Sequence, residues 1–415
     1  MKLEKYSIGI GDRFGHQGIA QLRAVIKAQQ SGLNITPVWN KSNREHIYVQ
    51  SHPEEVRKEA DAAVKFLGFK GDYFVDADHV NLNTVEPFIA SSDFFTLDVA
   101  SYIGKSTSNE NINAFINSCK NFNKELSIPG IEEKFEISNE WLENIAKKFL
   151  LASEQAAVLY QFIKEKKKNN PFIVEVSMDE VPTPQTPLEL FFILKMLADK
   201  KIPLQTIAPK FTGRFNKGID YQGDIKQFAK EFEEDILVID YAIKMFNLPQ
   251  DLKLSIHSGS DKFSIYPFIA EITKKHNKGF HLKTAGTTWL EEIIGLAAAG
   301  NEGLILAKKI YAIAFQRKNE LCEPYSDVID IDENKLPRPE EVETWTSEKF
   351  VNTLRHVPDH PDYNPNFRQL MHVAYKIAAE MKNEYFNLLE KYSKIIETCV
   401  EENIFDRHLK RLFDL

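Results

Sequence analysis

Apolar positions in the first three hundred residues fall in short, nearly continuous runs, and longer stretches of helical period lie between them. Runs at 5–10, 35–39, 73–75, 94–97, 172–176, 204–207, 252–257 and 280–283 are each too short and too uniformly apolar for an amphipathic helix. They read as strands buried on both faces. Stretches at 17–31, 54–67, 187–199, 225–245 and 289–299 carry the 3.6-residue repeat and predict helices. Strands alternating with helices at this density predict a parallel sheet with helical crossovers, and eight strands favour a closed (β/α)8 TIM-like barrel. On this reading residues 1–305 form the barrel, with a helical insertion at about 99–170, too long for one strand-to-helix connection. Residues 306–415 form a helical C-terminal extension packed on the barrel. The acidic, Pro-containing stretch 323–343 interrupts it, a long helix covers about 367–400, and the end from 407 to 415 docks as a terminal segment.

Alternation within the strands separates the two faces. In Phe172-Ile-Val-Glu175-Val-Ser177-Met-Asp179, residues Phe172, Val174, Val176 and Met178 face the helices, which leaves Glu175, Ser177 and Asp179 inside. The same test sends Thr96, Asp98, Thr206, Lys210, Ser255, His257, His281 and Lys283 inward. Burying unpaired charge is expensive, so such a row belongs around a wet, functional cavity. One strand resists the rule. In Asp76-Ala-Asp78-His79 the two aspartates share a face and His79 falls on the other, so His79 reaches the interior only if the chain bends there.

Composition narrows the class. A net charge of −8 gives no basic footprint for nucleic acid. No apolar stretch is long enough to span a membrane, and the N-terminus has no apolar signal core, so a cytoplasmic location is expected. The three cysteines, Cys119, Cys322 and Cys399, are too widely spaced for a disulfide framework or a zinc knuckle. Gly9-Ile-Gly11-Asp-Arg-Phe lacks the third glycine of a dinucleotide loop, which disfavours an open nucleotide-binding sheet.

The chemistry gathers at the strand ends. His79, His257 and His281 each close a separate strand beside carboxylates, and several imidazoles converging on a barrel mouth predict one divalent metal. Glu175 or Asp78 is a possible oxygen ligand, and such a nitrogen-rich set suits Zn, Mn, Co, Ni or Fe better than Mg or Ca. Ser255 or Asp261 is expected to accept from the imidazoles. Asp78 and Glu175 are the candidates for proton transfer. Basic residues collect in Lys210-Phe-Thr-Gly-Arg214-Phe-Asn-Lys217 and at Arg13, Lys41, Arg44 and Lys283. Of these, Lys210, Arg214 and Lys283 are expected to hold a substrate carboxylate or phosphate, and Asn40 a hydroxyl. Thr284-Ala-Gly286-Thr-Thr288 reads as a helix start able to bind an anion, and Thr186 as an N-cap ahead of Pro187.

Seven segments resemble the tagaturonate/fructuronate epimerase family of hexuronate catabolism. They are Ser7-Ile-Gly-Ile-Gly-Asp-Arg-Phe14, Val38-Trp-Asn-Lys-Ser-Asn-Arg-Glu45, Asp76-Ala-Asp-His79, Glu175-Val-Ser-Met-Asp-Glu180, Ala208-Pro-Lys-Phe-Thr-Gly-Arg214, Ser255-Ile-His-Ser-Gly-Ser-Asp-Lys262 and His281-Leu-Lys-Thr-Ala-Gly286. The resemblance implies inversion at C3 of a 5-keto-hexuronate with a divalent metal. It implies Asp78 as proton acceptor, Glu175 as donor, and His79, His257 and His281 as metal ligands. Other readings are a metal-dependent aldolase or sugar isomerase on the same barrel, and a non-catalytic protein that binds a sugar acid.

Overall fold

The computed structural model describes residues 1–415 apart from Asn123, Ala285, Gly286 and the side chain of Thr287. Its strands are β1 (Tyr6–Ile10), β2 (Ile35–Ser42), β3 (Phe74–Val80), β4 (Phe94–Asp98), β5 (Lys124–Ser127), β6 (Lys134–Ile137), β7 (Ile173–Ser177), β8 (Thr206–Ala208), β9 (Lys253–Ile256) and β10 (Phe280–Thr284). All but β5 and β6 close into one parallel barrel in the order β1-β2-β3-β4-β7-β8-β9-β10, and β10 pairs back onto β1. The eight strands are those the apolar runs predict. β2 and β3 run further than predicted because their last residues, Asn40 to Ser42 and Asp76 to His79, turn polar at the barrel mouth while still pairing.

Leu3, Val38, Phe74, Phe94 and Ile173 pack together as an apolar floor across the barrel. Above it the interior is polar, with Asp76, Thr96, Glu175, Thr206, Ser255, His281 and Lys283 all buried. The outer faces of the strands join two large apolar clusters with the surrounding helices. The helix Pro187–Asp199 starts as predicted: the Thr186 hydroxyl accepts from the Glu189 amide (3.2 Å), and the Glu189 carboxylate accepts from the Thr186 amide (2.9 Å).

Two predicted segments differ. The insertion between β4 and β7 is not wholly helical. Besides the helices Asn109–Ser118 and Asn139–Lys166 it holds the antiparallel hairpin β5–β6. Each of its strands is four residues long and mostly charged, so Leu126, Phe135 and Ile137 are too few to print an alternating pattern. The long helix expected over 367–400 is four short ones, Pro365–Val373, Tyr375–Met381, Asn383–Lys391 and Ser393–Glu402. Lys382, at φ 50° and ψ −122°, breaks the run. These helices lie against the helix Thr287–Ala299 that follows β10, where the Trp289 indole donates to the Met371 carbonyl (2.7 Å). The terminal segment docks as expected, with Phe413 stacked on Phe280 and edge-on to Tyr6. Among the described residues no helix is long and apolar enough to cross a membrane.

Candidate active site

The strand that resisted simple alternation shows how the site is built. β3 pairs with β4 at Ala77 and next at Val80, so its register slips by a bulge across Asp78 and His79. His79 takes up the extra residue with a left-handed backbone, φ 52°. That conformation costs a β-carbon residue roughly 1–3 kcal/mol and turns both side chains toward the mouth. Asp78 Oδ1 and His79 Nδ1 meet at 2.6 Å, and the His79 ring meets the His257 ring edge-on with centroids 4.8 Å apart.

Lys283 organises the acids. Gly9 lies opposite it in register and leaves room for its stem: a β-carbon there would come 3.2 Å from the Lys283 α-carbon. The ammonium reaches Asp76 Oδ2 (2.9 Å), Asp78 Oδ1 (3.1 Å) and Glu175 Oε1 (2.8 Å), and donates to Thr96. Thr206 donates to the other Glu175 oxygen (2.8 Å), and Glu175 Oε1 meets His257 Nε2 at 2.8 Å. Burial opposes charge on every one of these carboxyls. For Glu175 and Asp78 it is outweighed, by Lys283 and His257 in one case and by Lys283 and His79 in the other, so both lie well below the usual carboxylate range. Asp76 differs. Its burial, with Asp78 and Glu175 nearby, prevails over Lys283 and pushes it to about 7.

On its other side the His257 ring contacts Asp179 Oδ2 at 3.2 Å, an ion-pair contact. Asp179 is held in turn by the Ser177 hydroxyl (2.6 Å). Burial disfavours the imidazolium, but Asp179 and Glu175 raise His257 to about 10, and Asp78 likewise raises His79. His79, His257 and Asp179 present ligand atoms all within 4.8 Å of one another. They are the group of described residues suited to hold a metal ion. Asp179, which strand alternation placed inside the barrel without a role, thus joins the two histidines.

The other sequence candidates divide. His281 lies deeper, its Nδ1 2.9 Å from Ser7 Oγ and its ring tilted against Phe94; Nε2 is buried without a hydrogen-bond partner, and burial lowers the ring to about 3. Asn40 is buried at the Asp76 level with both amide atoms unpartnered, as a residue waiting for a polar ligand would be. Lys283 is inside, but its ammonium is committed to carboxylates. Lys210 stands just past β8, partly buried, with its amide donating to Gln185 (2.7 Å). Arg214 is half-exposed and pairs with Asp330 (2.9 Å), so the structure does not bring it to the histidines. Arg13, Lys41 and Arg44 are engaged with Glu45, the Arg13 carbonyl and the Pro324 carbonyl. Asp261 does not support the site imidazoles, because Arg368 and His356 occupy it; Ser7, Asp78 and Glu175 play that part. The expected anion site at Thr284–Thr288 falls on Ala285 and Gly286, outside the described residues. Asp76, Thr96 and Thr206 were legible as inward-facing, but nothing in the sequence showed them joined through Lys283.

A family model described as tagaturonate epimerase matches residues 1–412. The chain belongs to the tagaturonate epimerase family. A tagaturonate/fructuronate epimerase from Thermotoga maritima is 30% identical, the match covering 99% of this chain and 80% of that protein. The glycerol-complexed crystal structure of fructuronate-tagaturonate epimerase UxaE from Cohnella laeviribosi superposes with a TM-score of 0.81 at 24% identity. It covers 99% of this chain and 82% of that one, and the native form of the same enzyme gives 0.78 at 23% identity. At these identities the two structures speak for the fold. Family membership places the chain among epimerases, which are isomerases.

Proposed function

We propose that the protein interconverts D-tagaturonate and D-fructuronate by inversion at C3, using a divalent metal and a retro-aldol/aldol sequence. The observation that carries the reading is the convergence of His79, His257 and Asp179 ligand atoms beside the anionic pair Asp78 and Glu175. His79, His257 and Asp179 would hold the metal, and the buried, unpartnered Nε2 of His281 fits a further nitrogen ligand with Ser7 behind it. Zn, Mn, Co, Ni or Fe suits that donor set. Bound there, the cation supplies Lewis-acid stabilisation of the negative oxygen that bond cleavage creates.

C3 lies β to the C5 ketone, so enolisation alone does not invert it. Asp78, held anionic by Lys283 and His79, removes the C3 hydroxyl proton. The C3–C4 bond then breaks, giving a C3 aldehyde that carries the carboxylate and an enediolate of C4 to C6. The aldehyde rotates and C4 re-forms the bond on its other face. The proton taken by Asp78 passes through the Lys283 ammonium, which touches both acids (3.1 and 2.8 Å), to Glu175. Glu175 delivers it to the new C3 alkoxide, leaving both acids anionic again. Lys283 keeps both acids charged between turnovers, while Asn40 and Lys210 contact the substrate. The test is a metal-supplemented tagaturonate assay in D2O, with and without chelator. Fructuronate should form, formation should stop with chelator, and C3 should keep its hydrogen. Deuterium at C3 would refute the retro-aldol route, and net cleavage products would identify an aldolase.

A further inference from the structure

We propose that Lys217, backed by His372, receives the carboxylate of the sugar-acid substrate. The inference rests on the epimerase reading and adds a specificity residue to it. Lys217 lies in the loop that follows β8, and that loop is fixed from several sides. Its amide donates to the Val328 carbonyl (2.8 Å). The preceding Asn216 carbonyl accepts from Lys262 (2.9 Å), and the following Gly218 carbonyl accepts from Arg368. A backbone held this firmly aims its side chain reproducibly.

The ammonium itself makes no hydrogen bond or ion pair with any described residue. It stands 5.7 Å from the centre of the Tyr325 ring. That ring's hydroxyl meets the Tyr375 hydroxyl at 2.7 Å, and Arg13 lies over the Tyr375 ring. This puts Lys217 on the Arg13 side of the mouth, with Glu45, Asp78 and Glu180 among the charges around it. Arg13 and Glu45 neutralise each other in a buried pair at 2.9 Å, and Arg13 also stacks on Tyr375 at 4.0 Å. Lys217 is therefore a cation of this wall with neither an ion pair nor a hydrogen bond from its ammonium among the described residues. Beside it, His372 is only 3% exposed and leaves Nδ1 without a hydrogen-bond partner. Its Cδ2 edge lies against Gly218, where a β-carbon would come within 3.2 Å, and it feels the charges of both Arg13 and Lys217. A partly buried ammonium without a partner and a buried imidazole nitrogen without one together suit a carboxylate. The substrate's carboxylate is two bonds from the inverted C3, so its cation must stand close to Asp78.

Calorimetric titration with D-glycerate, which reproduces C1 to C3 of the substrate, tests the site without requiring turnover. Glycerate should bind the metal-loaded enzyme. K217M should weaken it at least tenfold, K217R should retain most of the affinity, and binding of neutral glycerol should change less than twofold. In kinetics, K217M should raise KM for tagaturonate about tenfold or more while kcat stays within threefold. Glycerate that fails to bind the wild type, or binds K217M unchanged, overturns the proposal, as does an equal loss for glycerate and glycerol. Wild-type enzyme that binds glycerate through Lys217 but leaves tagaturonate unchanged would sink the epimerase reading and keep the carboxylate site.

Discussion

His257 is held between Glu175 and Asp179, and His79 against Asp78, so acids flank both imidazoles before any metal is considered. Those acids make both imidazoles hold a proton more tightly than a free ring does, and coordination requires the ligating nitrogens to lose their protons. Metal uptake should therefore strengthen as pH rises. The ligand set is open to direct assay by metal content. Asp179→Asn and His281→Gln should each lower stoichiometric binding by at least tenfold in affinity, measured by competition with a chromophoric chelator. A His281→Gln enzyme that keeps full metal affinity would remove His281 from the set and leave its ring a structural partner of Ser7.

Among the elements, barrel closure depends on how tightly β10 approaches β1. Gly279, just before β10, has so little room that a β-carbon would sit 1.7 Å from the Lys5 carbonyl oxygen, and backbone cannot yield as a side chain can. Gly279→Ala should cost about 3 kcal/mol or more, read as a lowered midpoint in denaturant unfolding. Gly32, with open space around it, offers a contrasting position, although its φ of 94° still disfavours a side chain. Wild-type stability in Gly279→Ala would mean that β1 and β10 are free to separate.

Across the whole molecule, the C-terminal extension grips the mouth through one buried network. Arg368 donates to Asp261 (3.0 Å), to the Leu354 carbonyl (2.8 Å) and to Gly218, while His408 Nε2 accepts the Asp261 amide (3.0 Å). Asp261 follows His257 by four residues, so this network fixes the loop that carries a metal ligand. Arg368→Met leaves Asp261 buried without its guanidinium, with His356 as its remaining side-chain partner from the extension. It should destabilise by about 3–5 kcal/mol, with Asp261→Asn relieving part of the loss. His408 adds a pH dependence. Burial, opposed by Asp261, lowers it from 6.5 to about 4. Between those values the unfolded chain binds a proton that the folded one refuses, so this contribution lowers stability as pH falls from 6.5 to 4. The stability gap between wild type and His408→Gln, followed by thermal unfolding, should shift across that window by up to about 3 kcal/mol. A constant gap would show that His408 is charged in the folded state.

The eight barrel strands, most of the helices following them and the inward row of Thr96, Glu175, Thr206, His257, His281 and Lys283 were all legible in the sequence. Burial on both faces writes itself as unbroken apolar runs, and the pleat fixes the direction of each side chain. The breaks at Lys382 and the hairpin β5–β6 were not legible, because a single backbone dihedral and four-residue strands leave almost no periodic trace. The site divides in the same way. Sequence alone supplied the acids and imidazoles at the strand ends, since each is a local property of its own strand. Which of them meet was decided by the closed barrel. The bulge turns His79 beside His257, Lys283 crosses past Gly9 to join Asp76, Asp78 and Glu175, and Asp179 rather than His281 comes within 4.8 Å of the two histidines. Those distances depend on register and curvature summed around eight strands, and no single segment encodes them.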